Sequence, residues 1–401
     1  MTTTDSHQAG LLERYRRSLL GVFGTPPLVL SHGEGCYVWD ADGHRYLDLV
    51  GGIAVNALGH GHPALVSALS KQAAEAIHIS NLFTSVPQIE LAERLLQIAG
   101  APEGSGVFLA NSGAEAIEAA IKLSRRTGRQ QIIAAEGAFH GRTTGALALT
   151  SKAAYREPFE PLLPGVSHIP YGDVDALRAA VTEATAAVVL EPLQGEAGVI
   201  DPGPDYLVAA REITQAAGAL LIIDEIQTGV GRTGEWFAFQ ASGIQPDAIT
   251  VAKGLGGGVP IGALITFGER SSALLTAGQH GTTFGGNPLA TAGALAVLDT
   301  IEQSDLLRHV TRAGQHLVDQ VAALDHPLIV PVRGRGLLRA IPLREPVAPA
   351  LAAAAREAGF IVNPVSPQAI RLAPPLIITP EQLDTFVAAL PGLLDSLEGQ
   401  S

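Results

Sequence analysis

Five apolar runs in this chain each end on a side chain that could do chemistry. Lys253 follows Ala248–Ala252 and precedes a glycine track, Gly254 and Gly256–Gly258. Asp224 closes the run Ala219–Ile223, and Glu191 closes Ala186–Leu190. Ser112 follows Val107–Ala110, and Phe139-His140-Gly141-Arg142 follows Gln131–Ala135. A solvated lysine needs no such setting. A lysine that must lose its proton and attack a carbonyl does, because burial disfavours the ammonium form and lowers its pKa. The free amine can then form a Schiff base.

The neighbours narrow the chemistry. A carboxylate at the end of a run as apolar as Leu220–Ile223 costs several kcal/mol to bury unless a cation meets it. A pyridinium nitrogen would serve, and so would an arginine. In Asn111-Ser112-Gly113-Ala114-Glu115, Ser112 and Glu115 have capping-box spacing, and Gly113 lets a ligand approach the backbone. A helix that starts there can hold a phosphate on its free N–H groups, although an ordinary capped helix reads the same way. Lysine, acid and phosphate cradle taken together fit pyridoxal phosphate, an electron sink. The glycine track lacks the G-x-G-x-x-G spacing of a dinucleotide fingerprint. The twelve histidines are scattered, so no metal cluster is expected, and His140 and His280 read better as satisfied polar residues than as site residues.

These positions imply their scaffold. The five runs, with Ala263–Phe267, are short, continuous and apolar, as parallel strands covered on both faces should be. Helices are expected between them over Ala114–Arg126 and Tyr206–Ala217, which makes an α/β domain with a mostly parallel sheet. In such sheets ligands bind beyond the carboxyl ends of the strands, where all five candidate groups fall. Gly35–Leu49 reads as a hairpin around Asp42-Gly43. From about Ala294 the pattern changes to longer helices with a few strands, a smaller α/β unit. Thr379-Pro380-Glu381-Gln382 has the N-cap, first-turn proline and capping-box glutamine of a helix start. The expected division is 1–60 packing with the small domain, 61–293 as the large domain and 294–401 as the small one.

Composition excludes several alternatives. The net charge of −13 disfavours nucleic acid or an anionic membrane as partner. Cys36 stands alone, so no intrachain disulfide forms, which suits a reducing cytoplasm. The start MTTTDSHQAG lacks a signal-peptide pattern, and no apolar stretch reaches the ~18 residues of a membrane helix.

The motifs "NSGAEA", "FHGRT", "EPLQGEAG", "DEIQTG", "VAKGLGGG" and "HGTTFGGNP", in this order, resemble the class III pyridoxal-phosphate aminotransferases. The resemblance runs from Gly51 to beyond Arg371 and is greatest to the members that act on N-acetylornithine. It implies a fold-type I homodimer with sites at the subunit interface. By motif, Lys253 is the Schiff-base lysine, Asp224 meets the ring nitrogen, Gln227 reaches the ring hydroxyl and Phe139 stacks on the ring. Glu225 and Ile226 follow the acid within the same cofactor-binding motif. Ser112, Gly113 and Ala114 hold the phosphate, joined by Thr283 of the other subunit. Thr282 approaches the substrate, Arg142 binds its α-carboxylate, and Glu196 pairs with Arg371.

Three positions depart from the pattern. Ile117 replaces a usual Asn and is expected to face away from the phosphate. Phe23 and Ile53 stand where ornithine-specific members are expected to carry tyrosines, which favours a donor without a free α-amino group. The reaction implied is transfer of the δ-amino group of N-acetylornithine to 2-oxoglutarate. Ornithine, succinylornithine, carrier-linked lysine or 4-aminobutyrate are the alternative donors, and a glutamate-semialdehyde-type aminomutase is a further alternative.

Overall fold

The computed structural model describes residues 7–398. The first six residues of the polar start lie outside them. Near the N-terminus, β1 (Leu30–Glu34), β2 (Tyr37–Asp40) and β3 (Arg45–Asp48) form an antiparallel meander. The turn between β2 and β3 is closed by the Gly43 amide donating to the Asp40 carbonyl, so the expected hairpin is present.

The central sheet has seven strands: β4 (Gly106–Ala110), β5 (Gln131–Ala135), β6 (Val166–Ile169), β7 (Thr185–Leu190), β8 (Leu220–Asp224), β9 (Ala248–Val251) and β10 (Gly262–Thr266). Their spatial order is β4-β10-β9-β8-β7-β5-β6. Burial on both faces explains the unbroken apolar runs. Side chains alternate across a strand, so Val188, Leu190, Leu221 and Ile223 enter one core cluster, while Ala187, Val189, Leu220 and Ile222 enter another. The helix Gly113–Arg125 covers the second face, and Ile117 is fully buried there. It faces the core, as its helical spacing requires.

Two features depart from the expected parallel set. The strand β10 runs antiparallel to both β4 and β9. Its amino end therefore lies at the edge where β4 and β9 end, which brings the glycine track there too. The edge strand β6, Val-Ser-His-Ile, is only partly buried and carries no apolar run.

In the C-terminal part, β11 (Arg333–Arg335), β12 (Leu338–Pro342), β14 (Asn363–Ser366) and β15 (Ala369–Leu372) form a third sheet. Between them, β13 (Phe360–Ile361) leaves that sheet and pairs in parallel with β3. The last helix, Pro380–Glu398, starts as its sequence predicts. The Gln382 amide donates to Thr379 Oγ1 at 3.3 Å, and the Thr379 amide donates to Gln382 Oε1 at 3.0 Å. Among the described residues no helix is long and apolar enough to cross a membrane, and no cluster of His, Cys, Asp and Glu could hold a metal ion.

Candidate active site

A cavity of about 470 Å³ opens at the carboxyl ends of the central strands. Its walls come from separate stretches of chain: Ser112–Ala114 after β4, Phe139–Arg142 after β5, Glu191 after β7, Asp224, Ile226 and Gln227 at the end of β8, and Lys253 after β9. Gly258–Ile261, leading into β10, and Val55 also line it. The candidate groups that are far apart in sequence thus meet in one place.

Asp224 is almost fully buried, and its partner is a histidine rather than an arginine. Its Oδ1 accepts from the Ile226 amide and from Thr250 Oγ1, both at 3.0 Å. His140 Nδ1 donates to its Oδ2 at 2.6 Å. Burial alone pulls the imidazole down, but the hydrogen bond and charge of Asp224 outweigh it and leave the His140 pKa raised. His140 Nε2 is buried with no partner among the described residues. His140 therefore belongs to the site, contrary to the expectation from sequence. The one signal for it was its place behind a strand end.

Lys253 has a left-handed backbone, φ +43°, which is strained for a residue with a Cβ. Burial draws its ammonium below the ordinary lysine value, opposed by Glu196, Asp224 and Glu191 and assisted by Arg371. Glu191 lines the same cavity, accepts from the Phe139 amide at 3.1 Å and is pushed up to about 7 by burial. Sequence reasoning placed it at the strand end without a role.

The helix start at Ser112 is capped differently from the expected box. Ser112 Oγ accepts from the Glu115 amide at 3.2 Å, but the Glu115 carboxylate turns to the Asn111 amide at 2.9 Å and to Asn111 Nδ2. The amides of Gly113 and Ala114 have no protein acceptor among the described residues. A Cβ at Gly113 would come within 2.7 Å of the Ile226 side chain, so the backbone approaches closely there. Two free amides at a helix N-terminus suit a phosphate, and the buried Asp224 suits a protonated ring nitrogen. The residues present fit pyridoxal phosphate.

Arg371 is 1% exposed. Its Nη1 lies 2.5 Å from Glu196 Oε1 and donates to Gln227 Oε1 at 3.1 Å, while Nη2 donates to Asn363 Oδ1 at 2.9 Å. Burial tends to raise the Glu196 pKa, but Arg371 overrides it and leaves the carboxylate lowered. Gln227 joins this network to the cavity it lines. A Cβ at Gly195 would meet Gln227 Oε1 at 1.8 Å, so a side chain there would push Gln227 out of this network. Asn363 gave no sequence signal.

Some residues of the motifs do not line this chain's own cavity. Glu225 does not line the cavity. As the residue after Asp224 it points to the opposite side, where its carboxylate accepts from Thr228 Oγ1 and from the Phe239 amide. Thr282 accepts from Asn111 Nδ2 at 2.9 Å and lines a neighbouring cleft, while Thr283 is exposed, so neither lines this chain's own cavity. Phe23 is 90% exposed, and neither it nor Ile53 lines the cavity either.

Residues 23–394 match the Aminotransferase class-III family. The chain belongs to this family. Its relatives include the acetylornithine aminotransferase of Streptomyces coelicolor, 55% identical over 96% of this class-III aminotransferase and 95% of the relative. That of Mycobacterium tuberculosis H37Rv is 53% identical over the full length of both. Among solved structures, ornithine aminotransferase from Toxoplasma gondii, described with partial occupancy of PLP at its active site, superposes with a TM-score of 0.93 at 31% identity. That match covers 99% of this chain and 96% of the other. Acetylornithine aminotransferase from Elizabethkingia anophelis gives 0.86 at 35% identity, covering 96% and 98%. This class-III aminotransferase is a pyridoxal-phosphate enzyme of fold type I.

Proposed function

We propose that this aminotransferase moves the δ-amino group of N2-acetyl-L-ornithine to 2-oxoglutarate, giving N-acetyl-L-glutamate 5-semialdehyde and L-glutamate, a step of arginine biosynthesis. The observation that carries this reading is the set of full-length relatives, 53–55% identical, that bear the name acetylornithine aminotransferase. Pyridoxal phosphate, when bound, supplies an electron sink that eases ionisation of the C–H bond beside the reacting amine.

Each residue has a proposed share in this. Lys253 Nζ takes and returns the proton at the substrate carbon, a task that suits an amine with a lowered pKa. Asp224, held by His140 and Thr250, keeps the ring nitrogen protonated, and Gln227 meets the ring hydroxyl. Phe139 packs on the ring, and Ile226, whose amide donates to Asp224, lines the same cavity. Ser112, Gly113 and Ala114 hold the phosphate. Arg142, at the exposed side of the cavity, binds the donor's α-carboxylate. Arg371 receives the α-carboxylate of 2-oxoglutarate once Glu196 releases it, so Glu196 masks the guanidinium from ordinary α-amino acids in the donor half-reaction.

We also propose a cytoplasmic homodimer. Leu20, Phe23 and Leu82 are 84–90% exposed, apolar side chains that a partner subunit could cover. Pairing would cover them and bring Thr283, and with it Thr282, to the partner's cavity. The proposed organisation is residues 61–293 as the cofactor-binding domain, with 1–60 and 294–401 packed together through β3 and β13.

The test is half-transamination of the purified holoenzyme with N-acetylornithine, ornithine, N-succinylornithine and 4-aminobutyrate, followed by the cofactor's absorbance. N-acetylornithine should convert the cofactor with the highest rate over dissociation constant. Preference for ornithine or 4-aminobutyrate overturns the assignment.

A further inference from the structure

Arg142 has no hydrogen-bond or ion-pair partner among the described residues, yet it is not loose. Its Cζ sits 3.5 Å from the centroid of the Tyr155 ring and 5.7 Å from that of Phe139. The two rings meet edge to face, with centroids 6.5 Å apart and planes at 83°. The backbone just after Arg142 is fixed as well. Glu118 Oε1 accepts from Thr143 Oγ1 at 2.6 Å and from the Gly145 amide at 2.9 Å. Lys152 approaches the same tyrosine ring at 4.6 Å, which adds positive charge at this mouth of the cavity.

We infer that Tyr155 is a positioning residue that selects donors carrying a carboxylate, by holding the Arg142 guanidinium flat so that its N–H edge faces an incoming anion. The inference rests on the proposed role of Arg142. A guanidinium stacked on an aromatic face keeps its in-plane donors free, and these are the donors that grip a carboxylate in bidentate fashion. An exposed arginine without the ring would have to be ordered when substrate arrives, which weakens binding. Tyr155 itself does not line the cavity. It acts through Arg142, and its contact with Phe139 ties that grip to the residue proposed to pack on the cofactor ring.

The experiment compares two amines of equal chain length in half-reactions of the holoenzyme, 5-aminopentanoate and pentylamine. They differ only in the carboxylate. Tyr155→Leu should lower the preference for 5-aminopentanoate about three- to tenfold, through the dissociation constant rather than the limiting rate, with pentylamine unchanged. Tyr155→Phe, which keeps the ring, should retain the wild-type preference, and the visible circular dichroism of the bound cofactor should match wild type in both variants. Equal losses with both amines would mean that Tyr155 only supports the fold, and the inference is then wrong. If Arg142→Ala erases the preference and Tyr155→Leu does not, the tyrosine inference alone fails. If Arg142→Ala keeps the preference, the reading of Arg142 fails and takes this inference with it.

Discussion

His140 Nδ1 meets Asp224 Oδ2 at 2.6 Å, and both side chains are buried. With Thr250 and the Ile226 amide on the other oxygen, the carboxylate is held by three donors. It is oriented before any ligand arrives. Asp224→Ala should therefore cut the rate of proton transfer in the half-reaction by at least about a hundredfold, since each unit of pKa lost at the ring nitrogen is worth ~1.4 kcal/mol. His140→Asn should cost less, about tenfold, the scale of one charge-assisted hydrogen bond. Stopped-flow absorbance with donor amine measures both. A wild-type rate and cofactor affinity in Asp224→Ala would make that acid purely structural.

Lys253→Ala should abolish turnover and leave a folded protein that still binds pyridoxal phosphate. The lysine's strained backbone and its position in the cavity wall mark it as serving chemistry more than packing. Thermal unfolding, cofactor titration and steady-state assay together check this. Near-normal transamination without an added amine would remove Lys253 from the mechanism.

Glu196→Ala should change the balance of the two half-reactions. Glu196 neutralises a buried guanidinium, and removing one partner of such a pair costs about 2–5 kcal/mol unless another anion takes its place. The α-carboxylate of glutamate can do so. The half-reaction with L-glutamate should speed up relative to that with N-acetylornithine, with the two measured separately by stopped flow. An unchanged ratio means that Glu196 merely positions its loop.

Glu225 supplies a pH test of stability rather than activity. Burial pushes its carboxyl from 4.5 to about 7, so the folded state favours the protonated form. Its stabilisation is complete below about pH 4.5 and is lost as pH rises towards 7, with an upper bound of roughly 3 kcal/mol. Glu225→Gln, which keeps neutral hydrogen-bonding groups, should gain stability relative to wild type as pH is raised from 5 to 7.5. Parallel pH profiles in urea denaturation would show that the carboxyl does not titrate in the fold.

What could be read from sequence follows from which interactions are local. The strands β5 and β7 to β10 were legible because both faces are buried and the runs are unbroken, and β4, a partly buried edge, because Val107–Ala110 is apolar throughout. The edge strand β6 was not, since half-exposed residues there carry no such constraint. The antiparallel direction of β10 leaves no trace in its composition. Lys253, Asp224 and Gly113 showed themselves by type and position at strand ends. The His140–Asp224 contact did not, the two being 84 residues apart, and the Glu196–Arg371 pair, 175 residues apart, came from the family resemblance and not from local pattern. A contact at such separation is decided by packing, not by any local pattern. Glu225 shows the converse, a motif residue whose neighbour faces the cavity while its own side chain turns into the core.

The parallel pairing of β3 with β13 also sets a clock on biogenesis. Asp48 and Phe360 are roughly 310 positions apart, so at ~5–20 residues per second the ribosome needs about 15–60 s to deliver the second strand after the first. For that interval the outer rim of β3 hangs as an open template, able to recruit any passing extended segment. A nascent chain stalled before Phe360 keeps that rim bare. Such truncated products should be the ones that chaperones retain and proteases clear, and pulse-labelled fragments ending on either side of β13 would separate the two fates.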